Sequence, residues 1–133
     1  MKIEDHLRNI NESLEAINDA IIKGIENYQR TLGFNCSLAS VDMLEVYLHN
    51  LEIINPGVII KHDWFTSFRH ANQKINYDFP DKEKIFNLLC KIEGKRNAFC
   101  YGKQQPVSEI ENVINLFNEI KDLFESKGLK WKI

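Results

Sequence analysis

Apolar residues recur at steps of three or four from Ile3 through Leu7, Ile10, Leu14, Ile17, Ile21, Ile25 and Tyr28 to Leu32. That is the repeat of an amphipathic α-helix and not the alternation of a strand. Glu4, Asp5, Arg8, Asn11, Glu12 and Glu15 fill the opposite side, and Ala16 and Ala20 would admit a close neighbour. At 1.5 Å per residue a continuous helix over this pattern would run about 45 Å, longer than a domain of this size is wide. The pattern therefore predicts either a kink near Gly24 or projection into a partner. Gly33 is placed to stop the helix as a C-cap residue.

A second helix is predicted from Asn35, an N-cap residue, through Cys36, Ala39, Met43, Leu44, Tyr47, Leu48 and Leu51 to Ile54. Its apolar stripe is wide, as a central helix requires. Asp42, Glu45 and Glu52 are expected to point outward and His49 to lie at the edge of the buried face. Asn55-Pro56-Gly57 reads as a turn, and Val58-Ile59-Ile60 as an extended connector or the first turn of a helix, since a lone strand would have nothing to pair with. Trp64, Phe65 and Phe68 would form one helical face in the core. Pro80 and Asp81 mark the start of a helix carrying Ile85, Phe86, Leu88, Leu89 and Ile92, with Asp81 as N-cap. Ser108 and Glu111 have capping-box spacing ahead of a last helix with Ile110, Val113, Ile114, Phe117, Ile120, Leu123 and Phe124, ending near Lys127-Gly128. Trp131 either docks back or marks a contact surface. Short connections favour antiparallel neighbours, so the expected fold is all-α, an up-and-down bundle of four to five helices in a single domain over residues 1–133.

A hydrophobic content of 44% with six Gly and three Pro excludes disorder. The net charge of −2 excludes a global attraction to nucleic acid, so any such binding must come from a local basic patch. Cys36, Cys90 and Cys100 are odd in number and widely spaced, which argues for a reducing compartment without a disulfide framework. No apolar run reaches the length of a membrane span and no signal-peptide core is present, so no membrane association and a cytoplasmic location are expected. Neither HExxH nor other metal-ligand spacing occurs, and no metal or cofactor is expected.

The chemistry concentrates in Glu93-Gly94-Lys95-Arg96-Asn97-Ala98-Phe99-Cys100-Tyr101-Gly102-Lys103. Lys95, Arg96 and Lys103 supply positive charge, and Asn97 and Tyr101, four apart, share a helical face, with Arg96 turned about 100° away. The segment suits an anion or phosphate, and equally a solvated helix end whose cations complement the dipole. Aromatics beside cations in Lys61-His62-Asp63-Trp64-Phe65-Thr66-Ser67-Phe68-Arg69-His70 could stack bases and hold phosphates, or simply build core. His62 beside Asp63 is a weak acid–base candidate, because adjacent helical residues do not face one another.

A helical chain whose penultimate helix ends in Arg96-Asn97-Ala98-Phe99-Cys100-Tyr101-Gly102, followed by a polar loop and a final helix, resembles the prokaryotic HEPN family. It is most similar to the archaeal branch in which R-N-x-x-x-Y-G replaces the arginine-to-histidine pattern. The resemblance implies a small helical bundle that forms a homodimer and brings two copies of the motif to one cleft. It implies an RNA or nucleotide ligand, in which Arg96 holds a phosphate with its planar, bidentate guanidinium and Asn97 orients phosphate or ribose. Tyr101 stands where catalytic members carry histidine. A phenol ordinarily holds its proton at neutral pH and makes a poor general base, so binding without efficient cleavage is expected, with Lys95, Lys103 and His62 as further binding residues. The alternatives are a metal-independent endoribonuclease toxin using Arg96 with a displaced base, such as His62 or His49, and an interaction module paired with a nucleotidyltransferase or an antitoxin.

Overall fold

The computed structural model describes residues 1–132, and among these all regular structure is helical. Five α-helices follow one another: α1 (Ile3–Lys23), α2 (Gln29–Asn50), α3 (Phe68–Lys74), α4 (Lys82–Tyr101) and α5 (Val107–Ser126). Single 3-10 turns lie at Ile25–Asn27 and His62–Thr66. The architecture is an all-α helical bundle in which α2 is the central member, packed on α1, α4 and α5. None of the helices is long and apolar enough to cross a membrane.

The long N-terminal pattern is two helices. Gly24 takes φ +112°, outside the helical region and accessible at low cost only to glycine, and a 3-10 turn then reverses the chain. The predicted kink near Gly24 is thus a full reversal. The apolar steps run on through Ile25, Tyr28 and Leu32 because both arms of the hairpin face the same core. Gly33 and Asn35 do not separate two helices as expected. Both lie inside α2, where Asn35 Nδ2 donates to Thr31 O at 2.9 Å.

Gly33 has another use. A Cβ built on it would stand 2.7 Å from the Cβ of Phe99 on α4, so the missing side chain is what lets α2 and α4 cross so closely. Phe99 is fully buried there. Gln29, also buried, fastens the same end: its Nε2 donates to Phe99 O at 3.3 Å and Lys103 O at 3.1 Å, and its Oε1 accepts from Gln105 N at 2.6 Å. The loop after α4 is thereby tied to the first turn of α2.

Elsewhere the core follows the predicted residues. Ile85, Phe86, Leu88, Leu89 and Ile92 of α4 and Ile110, Val113, Phe117, Ile120 and Phe124 of α5 are buried. Trp131 docks back, its ring 6.4 Å from that of Phe124 and its Nε1 donating to Glu125 Oε2 at 2.9 Å. Residues 58–60 form a connector without regular structure. Trp64, Phe65 and Phe68 do not make one helical face. The first two lie in a 3-10 turn and Phe68 opens α3, leaving Phe65 buried and Phe68 partly exposed.

Two caps differ from expectation. Asp81 precedes α4 at φ 61° without capping it, its carboxylate accepting from Lys127 Nζ at 2.5 Å. Ser108 lies inside α5, which starts after Pro106, because proline fixes a backbone suited to the entry of a helix.

Gly33→Ala is expected to lower the urea-unfolding free energy by up to about 2 kcal/mol. The helix-propensity gain of about 1 kcal/mol is outweighed by overpacking that costs about 1–3 kcal/mol, because a Cβ next to the backbone cannot swing away. Cys36, wholly enclosed in α2, has its thiol pushed up to about 12 by burial. Iodoacetamide at pH 8 should leave it unmodified in the native chain and label it after denaturation, as read by mass spectrometry.

Candidate functional site

Two clefts border α2, one of them at its groove with α4. The groove cleft, of about 400 Å³, is lined by Arg30, Thr31, Phe34 and Asn35 of α2 and by Arg96, Cys100 and Tyr101 of α4. It exists because Gly33 draws the helices together and sets Phe34 beside Arg96, whose guanidinium carbon lies 5.5 Å from the ring centroid. This is cation–π distance. Arg96 is only 7% exposed, and its Nε is buried without a hydrogen-bond partner among the described residues. Tyr101, at the rim, is 78% exposed.

Of the residues singled out in the sequence, Arg96 and Tyr101 therefore share one cleft although they are five positions apart. Asn97 is exposed and does not line it. Lys95 turns the other way and pairs with Glu109 of α5, so its charge is neutralised there. Lys103 is exposed beyond the helix end, and its carbonyl holds Gln29. Arg30, Phe34, Thr31 and Asn35 were not singled out. Their only signal was an arginine and a phenylalanine one helical turn apart on a stretch assigned to a helix terminus.

His62 is placed by the second cleft, about 340 Å³, together with Asp42, Glu45, Lys61 and Asp63. Its partner is Glu93, not the adjacent Asp63: His62 Nδ1 lies 2.9 Å from both carboxylate oxygens of Glu93, which is buried. Glu93 precedes Arg96 by three positions on α4, so the two backbone positions are about one helical turn apart.

The second cleft also adjoins a cluster that the sequence did not suggest. Asp42 and Glu45 do not both point outward. Glu45 is buried, Asp42 is largely covered, and between them lies His6 of α1, 1% exposed. His6 Nδ1 stands 2.7 Å from Asp42 Oδ1. Its Nε2 is 2.9 Å from Glu45 Oε2 but out of line for a hydrogen bond. The other Glu45 oxygen accepts the Ile60 N–H. Burial alone would lower the His6 pKa. The hydrogen bond to Asp42 and the charges of the Glu45 and Asp42 carboxylates outweigh it and raise the pKa to about 9. Burial raises Asp42 in turn. His49, whose ring centroid is 5.8 Å from that of His6, is lowered by burial and then by the His6 charge. The spacing Asp42, Glu45, His49 (i, i+3, i+7) is the one sequence trace of this cluster; it puts all three on one face of a helix.

Glu45→Leu is expected to destabilise the chain by about 3 kcal/mol in urea unfolding, since it strands the Ile60 N–H and unbalances a buried charge set. Glu45→Gln keeps an acceptor for Ile60 and should cost less than half as much.

No protein-family model, no curated protein and no solved structure matches this chain.

Proposed function

We propose that this protein is a HEPN-like homodimer that binds RNA or a nucleotide through the Arg96 cleft, without efficient nuclease activity. The observation that carries it is the convergence of two arginines, Arg30 and Arg96, with Phe34 and Tyr101 on one cleft of about 400 Å³. Guanidinium groups suit phosphate, and exposed rings beside them suit a base, whose π-face stacks on an aromatic side chain irrespective of sequence. The buried, unpartnered Arg96 Nε favours an acceptor from outside the chain, because a desolvated donor left unpaired is costly. Asn97 and Lys103, on exposed backbone nearby, are flanking contacts, whereas Lys95 is withdrawn by Glu109.

The homodimer is supported by the placing of apolar side chains. Ile21 and Ile22 at the end of α1, Phe34 near the start of α2, Tyr101 at the end of α4 and Val107 at the start of α5 are all exposed, Ile22 by 82%. Antiparallel packing collects these positions at one end of the bundle, the end that carries the Arg96 cleft. Two copies meeting there would cover them and bring two clefts together.

A second reading is favoured by the His62–Glu93 pair: metal-independent RNA cleavage in which His62, oriented by a buried carboxylate, takes the 2′-hydroxyl proton that Tyr101 is ill suited to take. A third role, as a module paired with a nucleotidyltransferase or antitoxin, would use the same exposed end.

Arg96→Ala should weaken binding of a short single-stranded RNA about tenfold by fluorescence anisotropy. It should also reduce the slope of log affinity against log salt by roughly one, as a lost phosphate contact requires. Identical isotherms for wild type and variant would refute phosphate binding at this cleft. Incubation with RNA in EDTA separates the first two readings: cleavage abolished by Arg96→Ala and by His62→Ala selects the second, and intact RNA selects the first. Light scattering should report a dimer at micromolar concentration.

A further inference from the structure

The His6 cluster is independent of the Arg96 cleft and has chemistry of its own. Two carboxylates and one imidazole are enclosed at the junction of α1 and α2, with one candidate ligand atom from each of His6, Asp42 and Glu45 lying within 4.8 Å of the others. The carboxylates of Asp42 and Glu45 meet the imidazole where His6 is 1% exposed. Carboxylate charge in a desolvated place is costly, and a divalent cation with a neutral imidazole would balance it.

Geometry points the same way. His6 Nδ1 is engaged by Asp42 at 2.7 Å, the arrangement in which a carboxylate fixes the tautomer and leaves Nε2 with its lone pair free to bind. Nε2 then faces Glu45 Oε2 at 2.9 Å, misaligned for a hydrogen bond and with no other partner among the described residues. Two donors each roughly 2.1 Å from one ion, at bond angles near 90–110°, stand about 3.0–3.4 Å apart. The observed separation is close to that of two ligands on a common ion. His49, four residues after Glu45 on α2, stands beside the set with its ring centroid 5.8 Å from that of His6, outside the group of atoms gathered within 4.8 Å. Asp42 and Glu45 also line the 340 Å³ cleft, through which an ion and its remaining waters could enter.

We propose that His6 and Glu45, with Asp42 holding the imidazole from behind, form a binding site for a divalent transition-metal ion whose remaining positions are filled by water. Mixed imidazole and carboxylate donors select ions of the zinc or manganese class over magnesium, which prefers an all-oxygen octahedron. Bound there, the ion would clamp α1 to α2, and through Glu45 and the Ile60 N–H it would also steady the connector that carries His62.

The test uses the full chain after chelator treatment. Zn²⁺ titrated by calorimetry, with native mass spectrometry for stoichiometry, should show one ion per chain and a raised Tm. Glu45→Gln and His6→Gln should each weaken Zn²⁺ at least about tenfold, while His70→Gln, outside the cluster, should bind as wild type. Absence of both Zn²⁺ and Mn²⁺ binding by the wild type would overturn the site. So would unaltered affinity in a folded Glu45→Gln or His6→Gln chain, or an equal loss in His70→Gln. Visible absorption of the wild-type chain with Co²⁺ decides without any variant. A nitrogen–oxygen ligand-field band that Zn²⁺ abolishes is expected, and the spectrum of aqueous Co²⁺ alone would overturn the proposal.

Discussion

The close crossing of α2 and α4 at Gly33 and Phe99 is the contact on which the rest of the molecule depends. A glycine in a helix interior weakens that helix, and here the loss is offset by a packing distance that no side chain would permit. The crossing sets the register of the two helices, and register decides which residues meet along the groove. Arg30 and Phe34 come to face Arg96, Cys100 and Tyr101, and Gln29 reaches the loop that ends α4. A shift of one turn along either helix would dismantle the cleft while leaving both helices intact.

His6, Glu45, Glu93 and Arg96 are buried in this small core. Two of them, Glu45 and Glu93, reach from α2 and α4 to the same stretch of chain, holding Ile60 and His62 respectively. The connector between α2 and α3 has little regular structure, so its backbone groups need partners from elsewhere. Buried carboxylates supply them, and the strength of a hydrogen bond to a charged acceptor explains why glutamates stand where apolar residues would pack more cheaply. The same groups give the connector a fixed place beside the 340 Å³ cleft, which ties the fold's local needs to its chemistry.

Helix class and most core positions were legible because the 3.6-residue repeat is written into neighbouring residues, as Ile110 to Phe124 illustrate. Boundaries were less so. Gly24 and Gly33 look alike in the sequence, yet one reverses the chain at positive φ and the other sits mid-helix under Phe99, a difference made by a residue far along the chain. The same holds for Ser108, whose capping spacing lost to the adjacent Pro106. Arg96 could be picked out from its neighbours as a candidate for an anion site. Arg30 and Phe34 could not, because nothing local distinguishes them from surface residues.

By itself the sequence determined that this chain is helical, where its apolar faces lie, and that a guanidinium and a phenol stand near the end of the penultimate helix. These follow from short-range periodicity and composition. Only the tertiary structure decided which polar groups meet: His6 with Asp42, 36 residues away, His62 with Glu93, 31 residues away, and Lys95 with Glu109 rather than with a ligand. The reason is that pairing between helices depends on crossing distance and register, and these are set by packing of the whole core, not by any one stretch of chain.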